Sequence, residues 1–363
     1  MASEATTISG AAVDQAKTEA FLGKVLADTS GATVTVMAAI GDRLDLFKVL
    51  AANGPATSAE LAGRAGIHER YAREWLGAMA SGGYLEYDPV EKRFNLPPEH
   101  VSVLAEESGP FFFGGIHQML IGMIGPLDEL TNAFRHGGGV PQSAYDDNMW
   151  DGLERFSSGW FENLLLQQWI PLMPDVQAKL EAGCVLADVG CGRGRGLIKL
   201  AQAYPDSRYV GYDAFEPTIA RATANAAAAG LADRVSFRHL DASHGLPGQY
   251  DVITTFDVIH DAVDPRGLLR AIHQGLRPNG IYACLDINCS DKLEENAGPL
   301  GTFFQGVSVL YCMTTSLAHE GEGLGTVGLP ESKLQALCAE AGFSKVRRVE
   351  MENPFNNLYE VYP

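Results

Sequence analysis

Apolar positions along the chain follow two different rhythms. From Cys184 onward they come in short runs separated by longer amphipathic stretches, which predicts a parallel sheet wrapped by helices. The predicted strands are Cys184–Ala187, Arg208–Tyr212, Val235–Leu240, Tyr250–Thr255 and Ile281–Asp286, with a last one over Asn357–Tyr362. Helices are predicted over Pro265–Leu276 and Ser332–Gly342, and the turn Pro278-Asn-Gly280 leads into the fifth strand. Before residue 105 the pattern is helical. Ala38–Leu50 reads as one amphipathic helix, Thr57-Ser58 caps a short helix through Arg64, and Gly66-Ile67 turns the chain. A further helix over His68–Ser81 places Tyr71, Trp75 and Met79 on one inward stripe and ends at Gly82-Gly83. Leu85/Tyr87 and Phe94/Leu96 then alternate as in a two-stranded hairpin.

Helix, turn, helix and hairpin make a winged-helix plan. Three regions follow: a winged-helix domain over 1–105, a helical linker or substrate lid over 106–182, and an α/β domain over 183–363. The middle region mixes glycines with large side chains. Phe113, His117, Met149, Trp150, Phe156 and Trp160 are the candidates there for lining an aromatic pocket, and the same residue types also serve plain helix packing.

Charge narrows the partners. With 27 Lys+Arg against 45 Asp+Glu the 363-residue chain carries a formal −18, which repels phosphate backbones and anionic lipid heads. The winged-helix segment 31–100 has 7 basic and 9 acidic residues, a net −2, whereas DNA readers need a basic face. Nucleic acid is therefore disfavoured as a partner. The longest apolar stretch, Phe111–Leu127, is shorter than the roughly 20 residues that span a bilayer, and Met1–Gly10 has no basic region or apolar run of a secretory leader. Six cysteines without regular spacing suit reduced thiols in the cytoplasm, with neither disulfides nor a metal site expected.

The chemistry concentrates at the strand ends. The first strand runs into Asp188-Val-Gly190-Cys-Gly192-Arg-Gly194, a loop whose glycines let the backbone approach a ligand. Arg195 stands where a dinucleotide motif has its third glycine, which disfavours a nicotinamide-dependent oxidoreductase. Asp213 ends the second strand, 21 residues after Gly192, where a carboxylate can take the ribose hydroxyls of a nucleoside. Asp241-Ala242 ends the third, in place to hold and cover an adenine. Phe256 and Asp257 end the fourth and complete the cofactor-side candidates. Open α/β sheets bind ligands at this edge.

In this order the residues resemble the class I S-adenosylmethionine-dependent methyltransferases, and among them small-molecule O-methyltransferases of the actinobacterial type with an N-terminal winged-helix dimerisation domain. The resemblance implies a Rossmann-like seven-stranded sheet, S-adenosylmethionine as cofactor with S-adenosylhomocysteine as product, and a homodimer formed through the N-terminal domain. Asp188–Gly194 resembles the family's glycine motif, Asp213 its ribose acid and Asp241-Ala242 its adenine pair. His260, following the fourth strand, is placed to take a proton from a hydroxyl acceptor, and His260-Asp261 is similar to the family's His-Asp pair. Asp286 falls where the family has a carboxylate orienting that histidine. A further family glutamate is absent from Gly325–Pro330, leaving Glu320 or Glu322 to approach. The bland alternative is that His260 caps the turn before Asp264. Phe304 and Tyr311, in Gly298–Ser316, help close an apolar pocket suited to a small, aromatic hydroxyl acceptor. A thiol, amine or carbon acceptor, and a ligand-sensing winged-helix regulator, stay open as alternatives.

Overall fold

Residues 13–363 are described by a computed structural model; the segment Met1–Gly10, read above for a leader, lies outside them. The described residues divide after Glu106 into two compact units, the second being Glu107–Pro363.

In the first unit α1 spans Gln15–Arg43, capped by the Asp14 carboxylate, which accepts from the Ala16 and Lys17 amides. The single helix expected over Ala38–Leu50 is two. Asp45 takes a left-handed φ of 54° and starts α2, Leu46–Asn53, in a new direction, a conformation that Asp tolerates better than most residues. Next comes α3, Ser58–Ala65, with a reciprocal cap: Glu60 N donates to Thr57 Oγ1 at 3.3 Å and Thr57 N to Glu60 Oε2 at 2.9 Å. The following helix, α4 (Glu69–Ser81), corrects the predicted stripe. Trp75 and Met79 are buried, but Tyr71 is 78% exposed and the inward face is Ala72, Trp75, Leu76 and Met79. Steps of four advance about 40° around the axis, and the buried face is centred near Ala72 and Met79, which leaves Tyr71 beyond its edge. Trp75 Nε1 donates to Met37 O at 2.8 Å and its ring meets Phe47 edge-on at 5.2 Å. Strands β1 (Glu86–Asp88) and β2 (Arg93–Asn95) form the antiparallel wing, and α5 is Pro98–Leu104.

The second unit opens with α6 (Gly114–Met123), α7 (Leu127–His136), α8 (Asp147–Trp160), a π-helical turn over Phe161–Trp169 and α9 (Pro174–Ala182). The sheet follows: β3 (Val185–Val189), α10 (Arg195–Ala203), β4 (Arg208–Asp213), α11 (Glu216–Ala228), β5 (Val235–His239), β6 (Tyr250–Phe256), α12 (Pro265–Gly275) and β7 (Leu276–Ile287). After β7 come α13 (Gly298–Val307), a π turn over Ser308–Cys312, α14 (Met313–Leu317), α15 (Glu331–Ala341), β8 (Lys345–Val349) and β9 (Asn356–Tyr362). Strand order is β5-β4-β3-β6-β7-β9-β8, parallel from β5 to β7 and antiparallel on both sides of β9. β7 begins earlier than expected. Its pairing with β6 jumps from Tyr250↔Leu276 to Val252↔Ile281, so Pro278-Asn-Gly280 is absorbed as an irregularity inside the strand. Apolar side chains fill both faces of the sheet, around Leu186, Leu197 and Val252 on one and Ile253, Leu269 and Tyr282 on the other. No helix of the described residues is long and apolar enough to cross a membrane.

Helices α6 and α8 touch backbone to backbone. A Cβ at Gly152 would collide with the Met119 amide, and one at Gly122 with that of Met149. Around this crossing pack Ile116, Met123, Met149 and Tyr311. Gly152→Val is therefore expected to lower the free energy of unfolding by about 1–3 kcal/mol. Gly77→Ala, in α4 with nothing within 4 Å of its added methyl, is expected to raise it by about 0.5–1 kcal/mol. Denaturant titration of both variants measures the contrast.

Candidate functional site

The carboxyl ends of the parallel strands open onto a cavity of about 730 Å³. Asp188, Gly190, Gly192, Asp213, Asp241, Ala242, Phe256 and Asp257 all lie on its wall. Gly194 does not; it begins α10 at a φ of 79°, and a Cβ there would run into the Phe237 ring. It joins helix to sheet. Gly192 instead has nothing within 4 Å of its missing Cβ, an open place beside the loop backbone. Its amide donates to Asp213 Oδ2 at 2.8 Å, and the Phe215 amide to Oδ1 at 2.9 Å, so the loop and Asp213 brace each other. Burial raises the Asp213 pKa and these two amides work against the rise. Asp188 sits behind the loop, taking Thr254 Oγ1 at 2.7 Å, and burial pushes it up to about 7. Asp241 accepts from Ser243 N at 3.0 Å and Ser243 Oγ at 2.6 Å, with Ala242 buried beside it.

The opposite wall is α8, which presents Trp150, Leu153, Glu154, Ser157 and Trp160. Sequence reasoning missed what holds it there. Arg193 in the glycine loop reaches Asp151 and Glu154 at 2.6 Å each, and Arg195 reaches Glu154 at 2.7 Å. Trp150 stacks on Phe215 at 4.7 Å and 29°. Two arginines in a loop of a strongly acidic chain were the available signal, but their partners lie some forty residues away.

Of the predicted pocket residues, Trp150, Trp160 and Tyr311 reach the cavity wall; Phe113, His117, Met149, Phe156 and Phe304 do not line it. Met149 and His117 are buried. The others gather in an aromatic cluster beside it: Phe156 lies 4.4 Å from Trp160, 6.0 Å from Phe113 and 6.4 Å from Phe355, and Phe304 lies 6.2 Å from Phe355. Phe355, just before β9, had no sequence signal pointing to it.

Behind the cavity sits an acid–base cluster. His260 Nδ1 and Asp286 Oδ1 are 2.7 Å apart, at 3% and 1% exposure. Asp286 also accepts from the Ile259 and Ile287 amides. Burial disfavours the charged imidazole, but Asp286 and the Cys312 sulfur outweigh it and hold the His260 pKa well above the usual value. Cys312, His260 and Asp261 bring donor atoms within 4.8 Å of one another, as do Asp257, His260 and Asp286. Asp257, at a φ of 57°, accepts from Asn356 Nδ2 at 2.6 Å. Glu322 is paired with Arg266 at 2.9 Å and Glu320 is exposed, so the π turn brings Cys312, and not a glutamate, to His260. The cap of α12 is Asp264, which accepts from Gly267 N at 2.7 Å.

Known proteins share these features. Residues 32–106 match the Rv2258c-like winged HTH domain family and residues 180–317 a methyltransferase domain family. A ubiquinone biosynthesis O-methyltransferase of Ruegeria pomeroyi is 34% identical over 113 residues, 31% of this chain and 44% of that protein, so the match spans about half the length of the relative. Among solved structures, the mitomycin 7-O-methyltransferase MmcR superposes with a TM-score of 0.68 at 19% identity, over 96% of this chain and 100% of its own. Human N-acetylserotonin methyltransferase, solved with SAM, gives 0.67 at 17% identity, over 97% and 99%. Such identities show a shared fold. Residues 32–106 thus match an Rv2258c-like winged HTH domain and residues 180–317 a methyltransferase domain, and the chain shares the fold of these solved structures.

Proposed function

We propose that this protein transfers a methyl group from S-adenosylmethionine to the hydroxyl of a small, aromatic acceptor. The observation that carries the reading is the open Gly192 corner beside Asp213, whose carboxylate the loop amides hold in place. Those residues fit the nucleoside: Asp213 would take the ribose hydroxyls, Asp241 and Ala242 the adenine, and the Asp188–Gly194 loop the amino-acid end. When bound, the cofactor supplies an electrophilic methyl on a cationic sulfur. The acidic wall of Asp188, Asp213 and Asp257 suits that positive charge.

His260 is the general base in this reading and Asp286 orients it, supported by their 2.7 Å contact. Residues 106–182 form the lid, with α8 closing the cavity through Arg193 and Glu154. Holding acceptor and donor in line supplies about 7–11 kcal/mol of such a barrier, and the Trp150, Trp160 and Tyr311 rings on the cavity wall are the surface for a flat, apolar acceptor. We further propose a homodimer built on α1, whose Phe21, Leu22, Val25 and Leu26 are exposed along one helical face. The free cysteines suit the cytoplasm. Arg70 and Arg73 of α4 are each paired with a glutamate of the same helix, which argues against a DNA-reading role.

Four outcomes are expected. Asp213→Ala loses about 10- to 100-fold in affinity for S-adenosylhomocysteine by calorimetry, and an unchanged affinity removes Asp213 from the site. In assays of phenols with labelled methyl donor, His260→Gln lowers kcat by about 10²–10⁴ while its affinity for S-adenosylhomocysteine stays near that of the unaltered protein. Because Asp286 and Cys312 raise the His260 pKa, the neutral base appears only as pH climbs through that value, so the acid limb of kcat lies above about pH 6.5 and shifts in the variant. Finally, Leu22→Glu sediments as a monomer where the unaltered chain sediments as a dimer.

A further inference from the structure

Of the acid–base cluster, Asp257 and Asp261 lie on the cavity wall, and Asp257 is the one held there by a left-handed backbone and a donor from β9. His260, at 3% exposure, is not on the wall, whereas Asp257 is. Its backbone sits at a φ of 57°, an uncommon conformation for a side-chain-bearing residue and one that folds keep where it aims a functional group. The Asp257 amide donates to Leu285 O at 2.9 Å, fixing the turn to the end of β7. Asn356 of β9 supplies a donor to one carboxyl oxygen at 2.6 Å. Facing Asp257 are Asp286 from β7 and His260 and Asp261 from its own loop, with Cys312 beyond His260. Burial, and then the Asp286 charge, push Asp257 up to about 7. One proton there is thus gained or lost near neutrality.

We propose that Asp257 is the charge-exchanging group of the cavity, ionised while the cationic methyl donor is bound and carrying the acceptor's proton once the neutral product has formed. The proposal rests on the methyltransferase reading and deepens it by naming the first atom to take the proton. In the transfer the acceptor's O–C bond forms as the donor's S–C bond breaks, and the hydroxyl proton moves to an Asp257 oxygen. The sulfonium charge and the carboxylate charge disappear together, so the net charge of the filled cavity is unchanged. His260, with Asp286 behind it, lies within 4.8 Å and can take that proton at a pH where its imidazole is neutral. The same exchange makes Asp257 the group that distinguishes donor from product.

The test needs no acceptor. Calorimetry of the full-length protein with S-adenosylmethionine and with S-adenosylhomocysteine, at about pH 6 and about pH 8.5, gives the preference for the cation at each pH. The preference is expected to rise at least about tenfold with pH in the unaltered protein, beyond the change in Asp257→Asn. Asn accepts a left-handed φ, so that variant keeps the turn. Asp257→Glu is expected to restore the pH dependence. A preference that follows the same pH course with and without Asp257 overturns the proposal while the methyltransferase reading stands. Binding of neither ligand overturns both.

Discussion

A carboxylate withdrawn from water needs a hydrogen-bond donor or a proton, because an unpartnered charge in a low-dielectric interior is costly. Four acids at the ends of successive strands impose that demand here, and the architecture of the site can be traced to how each is met. Asp188 takes the Thr254 hydroxyl, Asp213 two loop amides, Asp286 two amides and an imidazole, and Asp257 one side-chain amide of Asn356. The turn of the glycine loop, the buried position of His260 and the left-handed backbone of Asp257 all serve these partnerships. Asp188 and Asp257, with one side-chain donor each, have the thinnest provision of the four, and burial pushes both up to about 7.

Much of the fold was legible in the sequence because strand ends mark themselves. Buried parallel strands read as short apolar runs, and each run stops near a polar residue at the sheet edge, half-buried at Asp213 and fully buried at Asp286. Helices were less legible. The long α1 carries exposed Phe21 and Leu22 and little inward stripe, so its pattern fades into its surroundings, and the break at Asp45 depends on one residue's φ. Tyr71 misled through the small difference between a spacing of four and the true helical repeat.

The site was legible as a set of strand-end residues and obscure as an assembly. No local pattern says that Arg193 will find Glu154, that Phe355 will reach Phe156 from the far end of the chain, or that a π turn will swing Cys312 toward His260. Each is a contact between distant segments decided by packing. The same holds for which residue meets the cavity: His260 and Asp257 are three positions apart in one loop, and only the turn between them decides which faces inward.

Contact of bare backbone between α6 and α8 has a mechanical meaning. Side chains that interlock can shift rotamers and let helices slide, but two main chains pressed together through Gly122 and Gly152 leave no such slack. The pair behaves as one stiff plate. One edge of that plate carries Trp150 and Glu154 toward the glycine loop, and Phe156 on the same helix faces the aromatic cluster. Tilting it to admit a molecule on the aromatic side displaces the wall on the other. A displacement of α8 at the aromatic cluster is thereby coupled to one at the glycine loop through a single helix crossing.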